Sequence, residues 1–213
     1  MRIICFENTI VIMKRIFLLL TILSVLSPLS FAEKVDHIEF ANKGKFTLGL
    51  GIGVPGVRST HNDRANMPSL ILDGSWGVAD GFIKSKHFGQ NGAIDLGFYY
   101  AFCHYRKWDE KHFGYLQNTG LFRAAFHFEF VKHLDTYAGL TSGVNVFTPA
   151  GRWWSDEQKD NWDHVKYAGG MFTGAKWYFT DVFGVKTEFQ FDWGSPGYGN
   201  LPTAAIGVTF NFK

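Results

Sequence analysis

The stretch "KFTLGLGIGV" at 45–54 places Phe46, Leu48, Leu50, Ile52 and Val54 on one face of an extended chain, and Thr47, Gly49, Gly51 and Gly53 on the other. Alternation at period two is a strand signal. Glycine inside a strand loses a packing side chain and costs entropy. A soluble sheet pairs a bulky buried face with a polar wet one, and here the second face is neither.

The pattern recurs along the chain. "SLILDGSWGV" (69–78) sets Leu70, Leu72, Trp76 and Val78 against Asp73, Ser75 and Gly77. "AIDLGFYYAFCHY" (93–105) sets Ile94, Leu96, Phe98, Tyr100 and Phe102 against Asp95, Gly97, Tyr99, Ala101 and Cys103. "GLFRAAFHFEFV" (120–131) sets Phe122, Ala124, Phe126, Phe128 and Phe130 against Arg123, His127 and Glu129. In "TYAGLTSGVNVF" (136–147), Ala138, Leu140, Val144 and Val146 oppose Gly139, Thr141, Gly143 and Asn145. "VKYAGGMFTGAKWYF" (165–179) separates Val165, Tyr167, Met171, Ala175, Trp177 and Phe179 from Lys166, Gly170, Gly174 and Lys176. "GVKTEFQFDWG" (184–194) separates Val185, Phe189, Phe191 and Trp193 from Lys186, Glu188, Gln190 and Asp192. "TAAIGVTFNFK" (203–213) ends the series, with Ala204, Ile206, Val208, Phe210 and Phe212 opposite Gly207, Thr209 and Asn211. Eight strands are expected.

Two solvents explain the two faces. The small face carries Asp73, Asp95, Arg123, His127, Glu129, Lys176, Lys186, Glu188 and Asp192, too many charges for a soluble core, since burying an unpaired one costs several kcal/mol. The bulky face cannot meet water on every strand. A closed antiparallel eight-stranded transmembrane β-barrel, an up-and-down meander, satisfies both: lipid takes the outside, and the narrow interior takes glycine and compensating charge. A ten-residue strand tilted by roughly 40° spans about 25 Å, the height of the apolar band. Aromatics make up 17% of the chain and charged residues only 19%, which fits an oily exterior. Trp76, Tyr100, Trp177, Tyr178 and Trp193 are expected in the interfacial girdles.

The connections alternate in length. Long ones are expected at 55–68, 106–119 and 148–164, with a shorter one at 195–202, and tight turns at 132–135 and 180–183. After the second strand a turn is expected at Ala79–Gly81, followed by "FIKSKHFGQNG" before alternation resumes. Short turns and both termini then share the periplasmic end, and long loops face outward.

Residues 1–32 read as a signal peptide: Lys14-Arg15, the apolar run "IFLLLTILSVL", then the small-x-small site Ser30-Phe31-Ala32. The run is shorter than the roughly 20 residues a spanning helix needs. Met13 opens a conventional signal peptide by itself, which makes 1–12 a candidate mis-assigned start. Residues 33–213 are the barrel domain. Cleavage leaves basic and acidic side chains equal in number and Cys103 as the sole cysteine. Nothing argues for nucleic acid, and an internal disulfide is excluded.

Four stretches, "SWGVADG", "LDTYAGLTSGVN", "GAKWYFTDVFGVKTEFQFD" and "AAIGVTFNFK", make the chain resemble the small OmpA/OmpX-like outer-membrane β-barrels of Gram-negative bacteria. The resemblance implies outer-membrane lipid as surroundings and insertion machinery that reads the last strand at Phe212, here followed by Lys213. It implies roles ranging from adhesion and envelope integrity to occasional lipid A chemistry, so fold alone does not fix function.

Catalysis needs a nucleophile or acid–base group beside an aligned base. The His-x-Ser triplet of outer-membrane deacylases does not occur, and no serine pairs with His127 and Glu129, which read as part of a lumen salt-bridge network with Arg123. His104, Asp109, Glu110 and His112, and His61 with Asp63, read as solvated loops, and no metal or other cofactor is expected. Arg152, Trp153, Trp154 and Trp162 form the candidate loop for an extracellular protein or glycan, against the plainer reading of interfacial tryptophans. The expected function is non-enzymatic: envelope structure or surface interaction through the loops. The alternatives are a narrow solute channel, a lipid-modifying enzyme and a soluble lipocalin-like carrier, whose polarity would be reversed.

Overall fold

The computed structural model describes residues 37–56, 63–107, 114–150, 165–193 and 201–212. The expected leader and Arg152, Trp153, Trp154 and Trp162 lie outside those residues. The strands are β1 (Phe46–Val54), β2 (Asp63–Ala65), β3 (Ser69–Ser85), β4 (Gly89–Lys107), β5 (Gly114–Val131), β6 (Leu134–Ala150), β7 (Val165–Tyr178), β8 (Phe183–Asp192) and β9 (Ala204–Phe212). Every strand pairing is antiparallel. β9 closes on β1 and β4 on β5, so β1 and β3 to β9 form a ring of eight, while the short β2 pairs with the upper end of β4.

The register fixes the shape of the cylinder. Val185 pairs with Trp177 on one side. The other way round, the partners run Val208, Leu50, Leu72, Tyr100, Gly120, Val144 and Tyr167. The circuit therefore returns to β7 ten residues from Trp177. A stagger of that size over eight strands implies a tilt of about 40° and a radius of about 8 Å, a lumen that side chains can fill.

The polarity is the reverse of a soluble barrel's. Leu50, Phe122, Phe126, Leu140, Met171, Phe189 and Ile206 point outward, Phe122 at 79% exposure, whereas Lys186 and Glu188 are each 3% exposed inside. Thr47, Asp95, Arg123, His127, Glu129, Lys176, Gln190, Thr209 and Asn211 are likewise buried. The glycines make room for these groups. A Cβ at Gly49 would stand 2.7 Å from the Asp73 carboxylate and from Lys186 Nζ, and one at Gly139 would stand 2.8 Å from the Phe172 ring.

Four features differ from the sequence expectation. The turn after the second barrel strand lies at 86–88 rather than 79–81. Register shifts between Gly77 and Ala79, and between Asp80 and Ile83, break the parity there, and Gly81 takes φ +70°, so a bulged strand imitates a turn. With that change every connection at the end holding the chain termini is short, including Lys132–His133 and Phe179–Val182. β5 starts at Gly114 instead of 120 and β6 runs on to Ala150. Alternation fades in those parts because the buried face turns aromatic, with Tyr115 and Phe147. The stretch read as loop at 55–68 contains β2. Finally, Tyr178 is not in a girdle: it is 1% exposed and stacks inside on Phe40 at 4.0 Å.

Candidate functional site

The lumen is a stack of layers. Its mouth at the end where β1 begins is stoppered by residues 37–45, which precede β1. Ile38 N–H donates to Gln90 O on β4, Gly44 N–H donates to Gly77 O, and Gly77 N–H donates to Lys45 O. The Glu129 carboxylate accepts from the Glu39 and Phe40 N–H groups at 2.9 and 2.8 Å, and Asn211 Nδ2 donates to Phe40 O at 3.2 Å. Phe40 and Ile38 are 2% and 0% exposed, so this segment is built into the barrel.

Above it stands a histidine between carboxylates. His127 Nδ1 lies 2.9 Å from Asp135 and Nε2 lies 2.9 Å from Asp95, with Lys176 Nζ 3.8 Å from Asp135. The next layer holds Arg123 and Glu188 in a two-pronged pair at 2.9 and 2.6 Å. The guanidinium is sandwiched between Tyr99 and Phe172, 4.2 and 4.0 Å from the ring centres. Tyr137 and Gln190 donate the remaining hydrogen bonds to Glu188. Lys186 pairs with Asp73 from β3. The gap among these groups is about 20 Å³, room for about one water molecule.

Apolar layers follow toward the other end: Ile71, Tyr99, Ala101, Leu121, Ala168 and Leu201, then Cys103, Tyr105, Tyr115 and Phe147. Between them Gln117, Thr119 and Asn145 bond to one another. Tyr105 stacks on Tyr115 at 5.2 Å, and its hydroxyl donates to Gly56 O.

The structure thus gathers Asp73, Asp95, Arg123, His127, Lys176 and Glu188 around one gap between the two ion-pair layers, with Lys186 joined to them through Asp73. Two residues fall elsewhere. Glu129 does not join Arg123; it anchors the N-terminal stopper through backbone N–H groups. Asp192 sits half-buried near the upper rim, 3.4 Å from the Leu201 N–H. Sequence reasoning missed Asp135, which it placed in a turn, and the aromatic clamp of Tyr99, Tyr137 and Phe172. Period-two parity along each strand would have found the clamp, since Tyr99 is in phase with Asp95, Tyr137 with Thr141 and Phe172 with Gly170. Among the described residues no group of three or more His, Cys, Asp or Glu is arranged to hold a metal ion.

A closed ring with an apolar belt outside and ion pairs inside makes this a small eight-stranded transmembrane β-barrel. No protein-family model and no curated protein matches the chain. Among solved structures it is similar to the NMR structure of Escherichia coli outer membrane protein W, at 10% identity and TM-score 0.48, covering 80% of this chain and 99% of that one. It is also similar to OprG from Pseudomonas aeruginosa, at 12% identity and TM-score 0.44, covering 82% and 99%. A third is Ail, the attachment invasion locus protein of Yersinia pestis, solved with the heparin analogue sucrose octasulfate: 9% identity and TM-score 0.44, covering 80% and 99%. At such low identity the fold rests on the register and closure described above.

Proposed function

We propose that the chain is a non-enzymatic bacterial outer-membrane barrel, serving envelope structure or surface interaction through the loops at the end away from its termini. The observation that carries this reading is the filled lumen. A stopper, two ion-pair layers and two apolar layers succeed one another, and the gap among the ion pairs is about 20 Å³. A porin needs an open polar channel, and an eight-stranded barrel is only wide enough to be filled by its side chains. His127 is 1% exposed and held between Asp95 and Asp135, an ion-pair arrangement with no described hydroxyl or thiol poised on the ring as nucleophile. The outward belt matches lipid, and its polarity argues against a lipocalin-like carrier. On this reading the chain reaches the outer membrane through its signal peptide, and its last strand, ending at Phe212, is read by the insertion machinery. The loop with Arg152, Trp153, Trp154 and Trp162 is the first place to seek a protein or glycan partner.

The test is planar-bilayer recording of the refolded protein, combined with gel mobility before and after boiling and surface labelling of loop 149–164 on intact cells. Faster migration unboiled, no discrete unit openings and a labelled loop are expected. Well-resolved openings would overturn the sealed-lumen reading.

A further inference from the structure

We propose that the recess beside the stopper, at the mouth where β1 begins, binds a primary ammonium carried on an alkyl stem. The site lies at the opposite end from the loops of the reading above and adds a ligand to it.

Three observations lead there. First, the recess is of ligand size. It measures about 620 Å³ and is framed by the stopper, the turn before β8 and the end of β9, and small-molecule sites fall between about 300 and 1,000 Å³. Second, its polar lining calls for donors. Asn211 is 4% exposed; its Nδ2 donates to Phe40 O at 3.2 Å, while its Oδ1 has no partner among the described residues. Asn42 Oδ1 is buried in the same lining and equally unpartnered. A buried acceptor without a donor is costly, and a ligand N–H that reaches it recovers that cost. Glu39 and Asp181 add two carboxylates, half-buried and exposed, neither held by a cation among the described residues. The carboxylates stand where they draw a cation in, and the amide oxygens lie deeper. Together they disfavour an anion. The two cations of the lining face the stopper itself: Lys45 Nζ donates to Glu39 O and stands 5.8 Å from the Phe40 ring centre, and His37 Nδ1 lies 2.7 Å from Ile38 O. Third, the remaining walls are apolar, with Val182 and Phe212 exposed on one side and Ile38 and Phe40 on the other. An alkyl stem lies along such walls, and its ammonium carries three N–H donors, enough for an amide oxygen and both carboxylates. A free diamine and the lysine side chain of a peptide share this chemistry.

The experiment titrates the full chain, labelled with nitrogen-15 asparagine and folded in lipid nanodiscs, with 1,5-diaminopentane and separately with the peptide acetyl-Ala-Lys-Ala-amide. Nuclear magnetic resonance follows the asparagine signals, acetyl-Ala-Gln-Ala-amide is the uncharged control, and unboiled gel mobility checks that each sample is folded. The Asn42 and Asn211 signals should shift saturably, with a Kd of about 1 mM or tighter, while those of Asn118 and Asn145 stay in place. Glu39→Gln with Asp181→Asn should weaken binding about tenfold, the effect of losing two exposed ion pairs, and each single variant about threefold. Binding of the diamine alone assigns the recess to free amines, and binding of both probes extends it to lysine side chains; either supports the proposal. The absence of a saturable shift at Asn42 and Asn211 with either probe in a fast-migrating barrel overturns it. Equal shifts with the glutamine peptide, shifts spread over all the asparagines, or an affinity unchanged in the folded variants overturn it as well.

Discussion

Arg123→Met tests whether the centre of the lumen is dry. The substitution removes the hydrogen bonds of 2.9 and 2.6 Å to Glu188. It leaves a carboxylate 3% exposed with only the Tyr137 hydroxyl at 3.1 Å and the Gln190 amide at 2.8 Å, and with the Lys186 cation already engaged by Asp73. Methionine fits the slot between Tyr99 and Phe172, so little packing is lost and the change isolates the charge. Breaking a buried pair from one side costs about 3–5 kcal/mol, while replacing both partners by apolar groups is far cheaper. Arg123→Met should therefore lower stability by about 3–5 kcal/mol, and Arg123→Met/Glu188→Leu by about 1–2 kcal/mol, the latter from orphaned Tyr137 and Gln190 donors. Urea unfolding of barrels folded in liposomes, followed by tryptophan emission and gel mobility, reads both values. A single-variant loss below about 1 kcal/mol would mean that water screens Glu188, and the sealed-lumen argument would fail.

Three further outcomes are expected. Phe126→Arg or Leu50→Arg, on the outward face, should cost about 2–4 kcal/mol in the same unfolding assay; neutrality there would reverse the assigned faces. Gly49→Leu should prevent folding or displace the Asp73–Lys186 pair, read as loss of the fast-migrating band, because its Cβ would already stand 2.7 Å from both groups. Phe40→Ala should leave the barrel folded but raise protease cleavage within 37–45, since the variant loses the stack on Tyr178 and keeps only the backbone anchors and the smaller Ile38–Ala41 packing on Ala93; unchanged resistance would show that the ring does not hold the stopper.

The barrel was legible because lipid imposes one rule on every strand at once. Leu50 and Phe126 cannot turn inward without sending Gly51 and His127 out, so parity alone assigns the faces. The rule weakens where the lipid ends. At Ala79–Gly81 two bulges scramble the parity and hide the rest of the hairpin. At Tyr115 and Phe147 both faces can carry aromatics. Tyr178 belongs to the outward class by composition and to the inward class by parity, and Phe40 decides it. The lumen charges were readable as a set but not as pairs. Partnering Arg123 with Glu188 requires the register across the ring, which single-strand patterns do not contain. The stopper at 37–45 had no periodic signal, because its polar backbone is satisfied by Glu129, Asn211 and strand edges instead of by a ladder of its own.

Phe46–Val54 and Ala204–Phe212 sit at opposite ends of the polypeptide, yet they form one seam of the cylinder. A chain ending at Thr203 would retain seven staves and present two raw edges, each a row of unmet amide and carbonyl groups that hydrocarbon cannot solvate. Lipid therefore offers no resting place for a partly built wall, and the nine residues of β9 act as the hoop: until they arrive, none of the other staves has a stable seat in the bilayer.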